Sequence, residues 1–263
     1  LNEKRDTVSA SAHNYVPARL LPLGDSALTL ELGRSIETET HERVLGVAAA
    51  LEALKGEPAL AGVEEWVSSF CALTVHFDPD VTDAEALGHL LLALAARGTR
   101  ASIAGLEWVL PACFDEEFAP DLDALAARKG MSPQAVIDTL LGATFRVYTI
   151  GFLPGFPYLG GLPEALEVPR LSSPRSAVPA KSIAVAGAMC AVYPWLSPGG
   201  WHLLGRTPVP MFDPRYSARP ALLAPGDRLR WRAVDRETYD AMAAQAEAGT
   251  LDRERFCRKD MPA

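Results

Sequence analysis

Between Gly151 and Asp213 the chain places ten of its 21 prolines, so closely spaced that no long helix can form there. Each interior proline would remove a backbone hydrogen bond and clash with the preceding turn. Glycines beside prolines and aromatics (Gly151-Phe152-Leu153-Pro154-Gly155-Phe156-Pro157-Tyr158, Gly160-Gly161, Pro198-Gly199-Gly200-Trp201) imply fixed turns with backbone open to close approach. The apolar pieces between them are short: Ile183 to Val185, Ala188 to Tyr193 and Trp201 to Leu204. Short strands joined by stiff, shaped loops suit a barrel or a sandwich.

Charge is uneven across this stretch. The chain carries a formal charge of −8, yet no acidic residue lies between Glu167 and Asp213, where Arg170, Arg175, Lys181 and Arg206 occur with His202 among them. Loops that concentrate cations in an acidic protein suit an anionic ligand or an acidic partner surface. Four independently solvated loop cations would read the same way in sequence.

With 263 residues, 49% of them hydrophobic and 22% charged, the chain is long enough for two modest domains. The acidic balance argues against non-specific nucleic-acid binding. No apolar run approaches the roughly 18 residues that span a bilayer, and residues 1–14 lack the apolar core of a secretory signal. Cys71, Cys113, Cys190 and Cys257 are widely spaced without metal-ligand spacing, which points away from structural zinc and towards a reducing compartment.

Taken in order, the first sixteen residues read as a disordered tail. Ala18 to Leu32 reads as strand, turn, strand, and Glu37 to Lys55 as a helix with an apolar stripe of Val44, Leu45, Val47, Ala48, Leu51 and Leu54. Two strands, Val63 to Val67 and Ala72 to Phe77, precede a helix opened by a capping box, Thr82-Asp83-Ala84-Glu85. That sequence of elements suits a small α+β layer with helices on one face of a sheet. After a boundary near Gly98 to Ala104, a strand (Leu106 to Cys113), two helices (Asp121 to Lys129, and one capped by Ser132 that reaches Leu141) and a strand (Thr144 to Ile150) lead into the proline-rich segment. A strand from Arg228 to Val234 and a helix capped by Asp235 close the chain before a polar tail.

Common catalytic signatures are missing. There is no Gly-x-x-x-x-Gly-Lys-Ser/Thr, His-Glu-x-x-His, Gly-x-Ser-x-Gly or Met-Lys-Met biotin motif. Gly24-Asp25-Ser26 reads as a turn. His202 is a candidate acid or base near neutral pH, and equally a strand histidine bonded to a neighbour. Phe156, Tyr158, Trp201 and Phe212 suit core or pocket walls.

The run Gly151-Phe-Leu-Pro-Gly-Phe-Pro-Tyr-Leu-Gly-Gly161, the Pro169-Arg170 and Pro174-Arg175 pairs, Val178-Pro179-Ala180, Ser197-Pro-Gly-Gly-Trp201 and Gly205-Arg206-Thr207-Pro208 resemble the family of B-type 5-oxoprolinase subunits (PxpB). Leu21-Pro22-Leu23-Gly24-Asp25-Ser26-Ala27 resembles its opening, and the likeness extends over residues 18 to 234. The family includes the sporulation kinase inhibitor KipI, and many members carry the label allophanate hydrolase subunit 1. The resemblance implies an α+β protein: a tail (1–16), an α/β N-terminal domain (17–100), a cyclophilin-like β-barrel domain (101–238) and a C-terminal helix and tail (239–263). It implies a cytoplasmic protein working with C-type and A-type 5-oxoprolinase subunits to hydrolyse 5-oxoproline to glutamate with ATP, with no metal or biotin site in this chain. Arg170, Arg175 and Arg206 are then expected to hold the substrate, with Phe156, Tyr158, Gly199, Gly200 and Trp201 lining its cleft and His202 and Lys181 as catalytic groups. The alternatives are a KipI-like inhibitor of a sensor histidine kinase, or a member of an allophanate hydrolase or urea carboxylase-type system. The chain departs from the family pattern at Cys71, at Leu140-Leu141, at Lys181 where glycine is usual, at Met189-Cys190-Ala191 and at His202.

Overall fold

A computed structural model describes residues 17–98 and 105–258, so the tail expected over 1–16 and the boundary near residue 100 lie outside the described residues. Packing divides the chain into two units. One holds the described residues up to Val67 and from Cys71 to Gly98; the other holds Ser68–Phe70 and the described residues from Gly105 to Arg258. Five α-helices and two large sheets make the protein a mixed α/β fold among the described residues.

The first unit contains β1 (Arg19–Pro22), β2 (Ala27–Glu31), α1 (Thr38–Ala53), β3 (Val63–Ser68), β4 (Ala72–Phe77) and α2 (Ala84–Ala96). The sheet order is β1-β2-β4-β3. Leu28 and Leu30 register against Val75 and Leu73, and the buried members of those pairs face the helices. The α1 stripe of Val44, Val47 and Leu51 packs with Leu87, Leu91 and Leu94 of α2 on Leu30, Leu73, Val75 and Phe77. The helices therefore cover one face of the sheet, as the apolar spacing requires. The start of α2 differs from the expected capping box. Asp83 is the cap, its carboxylate accepting from Glu85 N and Ala86 N, while the Thr82 hydroxyl donates to Ala61 O at 2.7 Å. Asp83→Ala is expected to cost about 1 kcal/mol, read by chemical denaturation, and Thr82→Ala less.

The second unit contains β5 (Glu107–Ala112), α3 (Leu122–Lys129), α4 (Pro133–Gly142), β6 (Phe145–Ile150), β7 (Pro157–Gly160), β8 (Arg175–Val178), β9 (Ser182–Ala186), β10 (Met189–Val192), β11 (Ser197–Gly199), β12 (His202–Arg206), β13 (Arg228–Ala233), α5 (Arg236–Glu247) and β14 (Cys257–Arg258). Ser132 and Asp235 cap their helices as expected, accepting from Ala135 N and Thr238 N. Eight strands form one sheet in the order β12-β9-β10-β7-β6-β13-β5-β14, antiparallel except for β13 beside β5. Beyond Ala112 a single antiparallel bridge, Cys113 to Arg206, brings the far side of this sheet back to β12 through two 2.9 Å hydrogen bonds. Among the described residues the sheet does not close into the barrel expected over 101–238: one bridge, and not a run of pairing, links the end of β5 to β12. Trp108, Leu110, Phe145, Val147, Leu159, Ile183, Val185, Leu204 and Leu229 fill the interior, with Leu125, Val136 and Leu140 from α3 and α4.

Four strands arise where turns or tail were expected. Pro157 opens β7, whose remaining N–H groups pair between β6 and β10. β8 and β11 pair only with each other, and Pro198 fits there because an edge position needs no donor. β14 pairs with β5 inside the stretch read as polar tail.

Candidate functional site

The loops between β6 and β12 bring most of the expected residues to one aromatic face. Phe156 is at the centre, its ring 4.9 Å from Tyr158, 5.1 Å from Tyr193 and 6.3 Å from Trp201. Tyr158 and Trp201 are 6.1 Å apart. Near edge-on geometries dominate, which suits the ring quadrupoles. The Arg170 guanidinium is exposed and lies 5.8 Å from the Trp201 ring centroid. Burial raises the Tyr158 and Tyr193 hydroxyls above the usual tyrosine range, with the Arg170 charge opposing the shift in both. Arg170 therefore faces two phenols without a carboxylate ion-paired to it among the described residues.

Arg175 has a different standing. Its Nη2 lies 2.6 Å from Asp121 Oδ1, and its Nη1 donates to Trp201 O at 3.4 Å. The second Asp121 oxygen accepts from Leu203 N at 2.7 Å. Asp121 begins α3 but makes no side-chain cap there, because its carboxylate is turned to β12 and to Arg175. This pair fixes the start of β8 to β12. Nothing local in the sequence signals it, because the partners are 54 residues apart.

The glycines separate in the same way. A Cβ on Gly199 would overlap the Tyr193 hydroxyl, so this glycine lets β11 lie on the aromatic cluster; one on Gly200 would meet Pro174 at an ordinary 3.6 Å. His202 is buried, with Nε2 3.0 Å from Pro169 O, next to Arg170 in sequence. Phe152 is 61% exposed and has φ 67, a backbone region that non-glycine residues seldom occupy.

Arg206 and Lys181 stand apart from this face. Arg206 lies over the Phe118 ring at 4.3 Å, and Phe118 in turn packs on Tyr239 at 4.5 Å; burial raises the Tyr239 hydroxyl above the usual range, with the Arg206 charge opposing the shift. The structure thus brings Arg170, Arg175, Phe156, Tyr158, Gly199, Gly200, Trp201 and His202 together and places Arg206 with Lys181 in a second group. Asp121, Tyr193, Phe118 and Tyr239 are the neighbours that sequence did not single out. Among the described residues no group of three His, Cys, Asp or Glu side chains could hold a metal ion, and no helix is long and apolar enough to cross a membrane.

Comparison with known proteins gives this geometry a context. The carboxyltransferase domain, subdomain C and D, family matches residues 18–223. The B-type 5-oxoprolinase subunit of Bacillus subtilis is 34% identical over 234 residues, covering 83% of this chain and 94% of that protein. The chain belongs to the family of B-type 5-oxoprolinase subunits. A solved structure, TTHA0988, is 35% identical with a TM-score of 0.69 over 79% of this chain, which spans only 40% of that longer polypeptide. The Kluyveromyces lactis urea carboxylase shares the fold, with a TM-score of 0.75 over 89% of this chain at 18% identity, and there the match takes up 23% of the larger protein.

Within the pattern of this 5-oxoprolinase family, two of the departures fall in the core. Leu140 is fully buried among the α3–α4 side chains, and the buried Cys190 thiol is pushed up to about 12. These positions fill space beneath the sheet. His202 and Lys181 are the departures beside the two cationic groups.

Proposed function

We propose that this chain is one subunit of an ATP-dependent 5-oxoprolinase, which hydrolyses a cyclic amide to its open amino acid together with partners of the C type and the A type. The observation that carries the reading is the Arg170–Trp201–Tyr158–Phe156 face in a member of this family. An exposed guanidinium over aromatic walls suits a small, flat ring bearing a carboxylate: the rings take its apolar edge and the cation takes its charge. The unreactive amide carbonyl needs polarisation or phosphorylation before water attacks, which ATP would supply in the assembled enzyme. In this reading Arg175 shapes the wall from its ion pair with Asp121, and Gly199 lets β11 approach the aromatic cluster. His202 positions the Pro169–Arg170 segment through Pro169 O. The bridged sheet of the second unit is consistent with a cyclophilin-like barrel, and a cytoplasmic setting fits the four free cysteines.

The test is turnover by the co-expressed subunits with Arg170→Ala. A fall of about 10- to 100-fold in kcat/KM for 5-oxoproline, with assembly intact, is the expected loss of a charge-assisted contact. Unchanged turnover would remove Arg170 from the site.

A second reading has its own observation. Phe152, Trp195 and Leu196 are 61%, 43% and 69% exposed, and Gly155 packs against Phe212, whose ring is 6.1 Å from Trp195. Such a surface also suits a protein target, as a KipI-like kinase inhibitor would require. Undiminished autophosphorylation of the candidate kinase at saturating protein would reject it.

A further inference from the structure

Strand β3, six residues from Val63 to Ser68 without a proline, is the longest strand at an edge of any sheet among the described residues. Its one strand partner there is β4, so its outer N–H and C=O groups are open to a further strand. A cleft of about 310 Å³ runs along this edge, and Val63, Glu64, Glu65 and Trp66 all line it. Side chains on a strand alternate between faces, so four successive residues border one cleft only where it lies beside the main chain. The rest of the lining comes from the end of α1 and the chain after it, at Glu52, Lys55 and Gly56. Buried Leu60 and the half-buried Trp66 supply apolar surface.

The charge of the cleft is one-sided. Glu52, Glu64 and Glu65 set three carboxylates against the single ammonium of Lys55. Lys55 Nζ lies 5.8 Å from the centroid of the Trp66 ring and 3.6 Å from a Glu52 oxygen. The ring therefore already receives a cation. The Lys55 and Glu52 side chains are 70% and 62% exposed, so this arrangement yields at small cost. A second copy of this chain is a poor occupant, because two β3 edges paired together would set four glutamates in one seam. Charges on an edge strand also guard against aggregation, but that role needs neither a cleft nor an aromatic wall.

We propose that this cleft binds an extended basic segment of a partner protein, which adds to β3 as a fifth strand and lays a lysine or arginine side chain on Trp66 among the glutamates. The open main-chain groups of β3 supply affinity, and the ring and carboxylates select the charge. The cleft lies wholly within the first unit. It does not depend on the amide-hydrolysis reading, because it is assayed by binding to this chain alone.

The experiment is titration of the full chain, read by fluorescence anisotropy, against a labelled peptide as long as β3 that alternates valine with lysine or arginine. One control peptide carries glutamate at the charged positions. The other is N-methylated at every amide, which keeps the charge and prevents strand pairing. Saturable binding of the basic peptide is expected, weaker by at least about tenfold when Glu64→Gln and Glu65→Gln are combined. Lys55→Met clears the ring and removes a like charge, so it should tighten binding about threefold. Amide hydrogen exchange across Val63–Ser68 should slow in the saturated complex. Four results would overturn the proposal: no saturable binding by the parent chain, equal binding of either control peptide, affinity unchanged in the double variant, or weaker binding by Lys55→Met. None of them bears on turnover at Arg170.

Discussion

Replacing Asp227 with alanine is expected to destabilise the second unit by about 3–5 kcal/mol, the range for stranding buried partners of a charged acceptor. Asp227 closes the turn into β13 and is 4% exposed. One carboxylate oxygen accepts from Leu106 N at 2.8 Å; the other accepts from the Trp108 indole and from Ala224 N, both at 3.0 Å. Three donors on two segments thus converge on one side chain, and β5 is aligned with β13 at the place where the two run parallel. Burial raises the carboxyl above the usual range even against these bonds, so the site is desolvated enough for an orphaned donor to be costly. Denaturant unfolding of the variant measures the loss, and a change below about 1 kcal/mol would show that water replaces the carboxylate.

The second large effect separates two arginines that look alike in sequence. Arg175→Ala should cost about 2–4 kcal/mol, because it leaves the Asp121 carboxylate, 12% exposed, without its cation. Arg170→Ala should leave the unfolding free energy within about 0.5 kcal/mol of the parent, since its side chain is exposed and its contact is the Trp201 ring. Ligand affinity or turnover should respond in the opposite order once the Arg175 variant is corrected for its folded fraction. Equal destabilisation by the two substitutions would mean that Arg170 is a structural residue as well, and the aromatic face would lose its free cation.

These contrasts mark where sequence reasoning stops. The first unit was legible because its signals are local: the α1 stripe repeats at helical spacing, and β2 and β4 alternate. The shift of the α2 cap from Thr82 to Asp83 came from a longer contact, since Ala61 O draws the Thr82 hydroxyl away. In the second unit the prolines excluded helices correctly but concealed strands. Pro157 and Pro198 sit inside β7 and β11 at positions that need no donor, and sequence alone offers no way to know which side of a strand is unpaired. The lone Cys113–Arg206 bridge between the end of β5 and β12 was likewise invisible.

The candidate site was legible as chemistry and not as geometry. A run without acids from Val168 to Phe212 singled out the cations. Yet the acid that neutralises Arg175 lies on α3, outside that run, and Tyr239 and Glu247 reach the Arg206–Lys181 group from α5. Long-range partners of this kind decide whether a loop cation is a strut or a ligand, and they follow from strand order and register.

The most direct test of the functional reading is ATP-dependent formation of glutamate from 5-oxoproline by the co-expressed subunits, assayed with and without this chain. The expected result is turnover that requires the chain. Glutamate formed at the same rate in its absence, or none formed by a verified assembly that contains it, would contradict that reading.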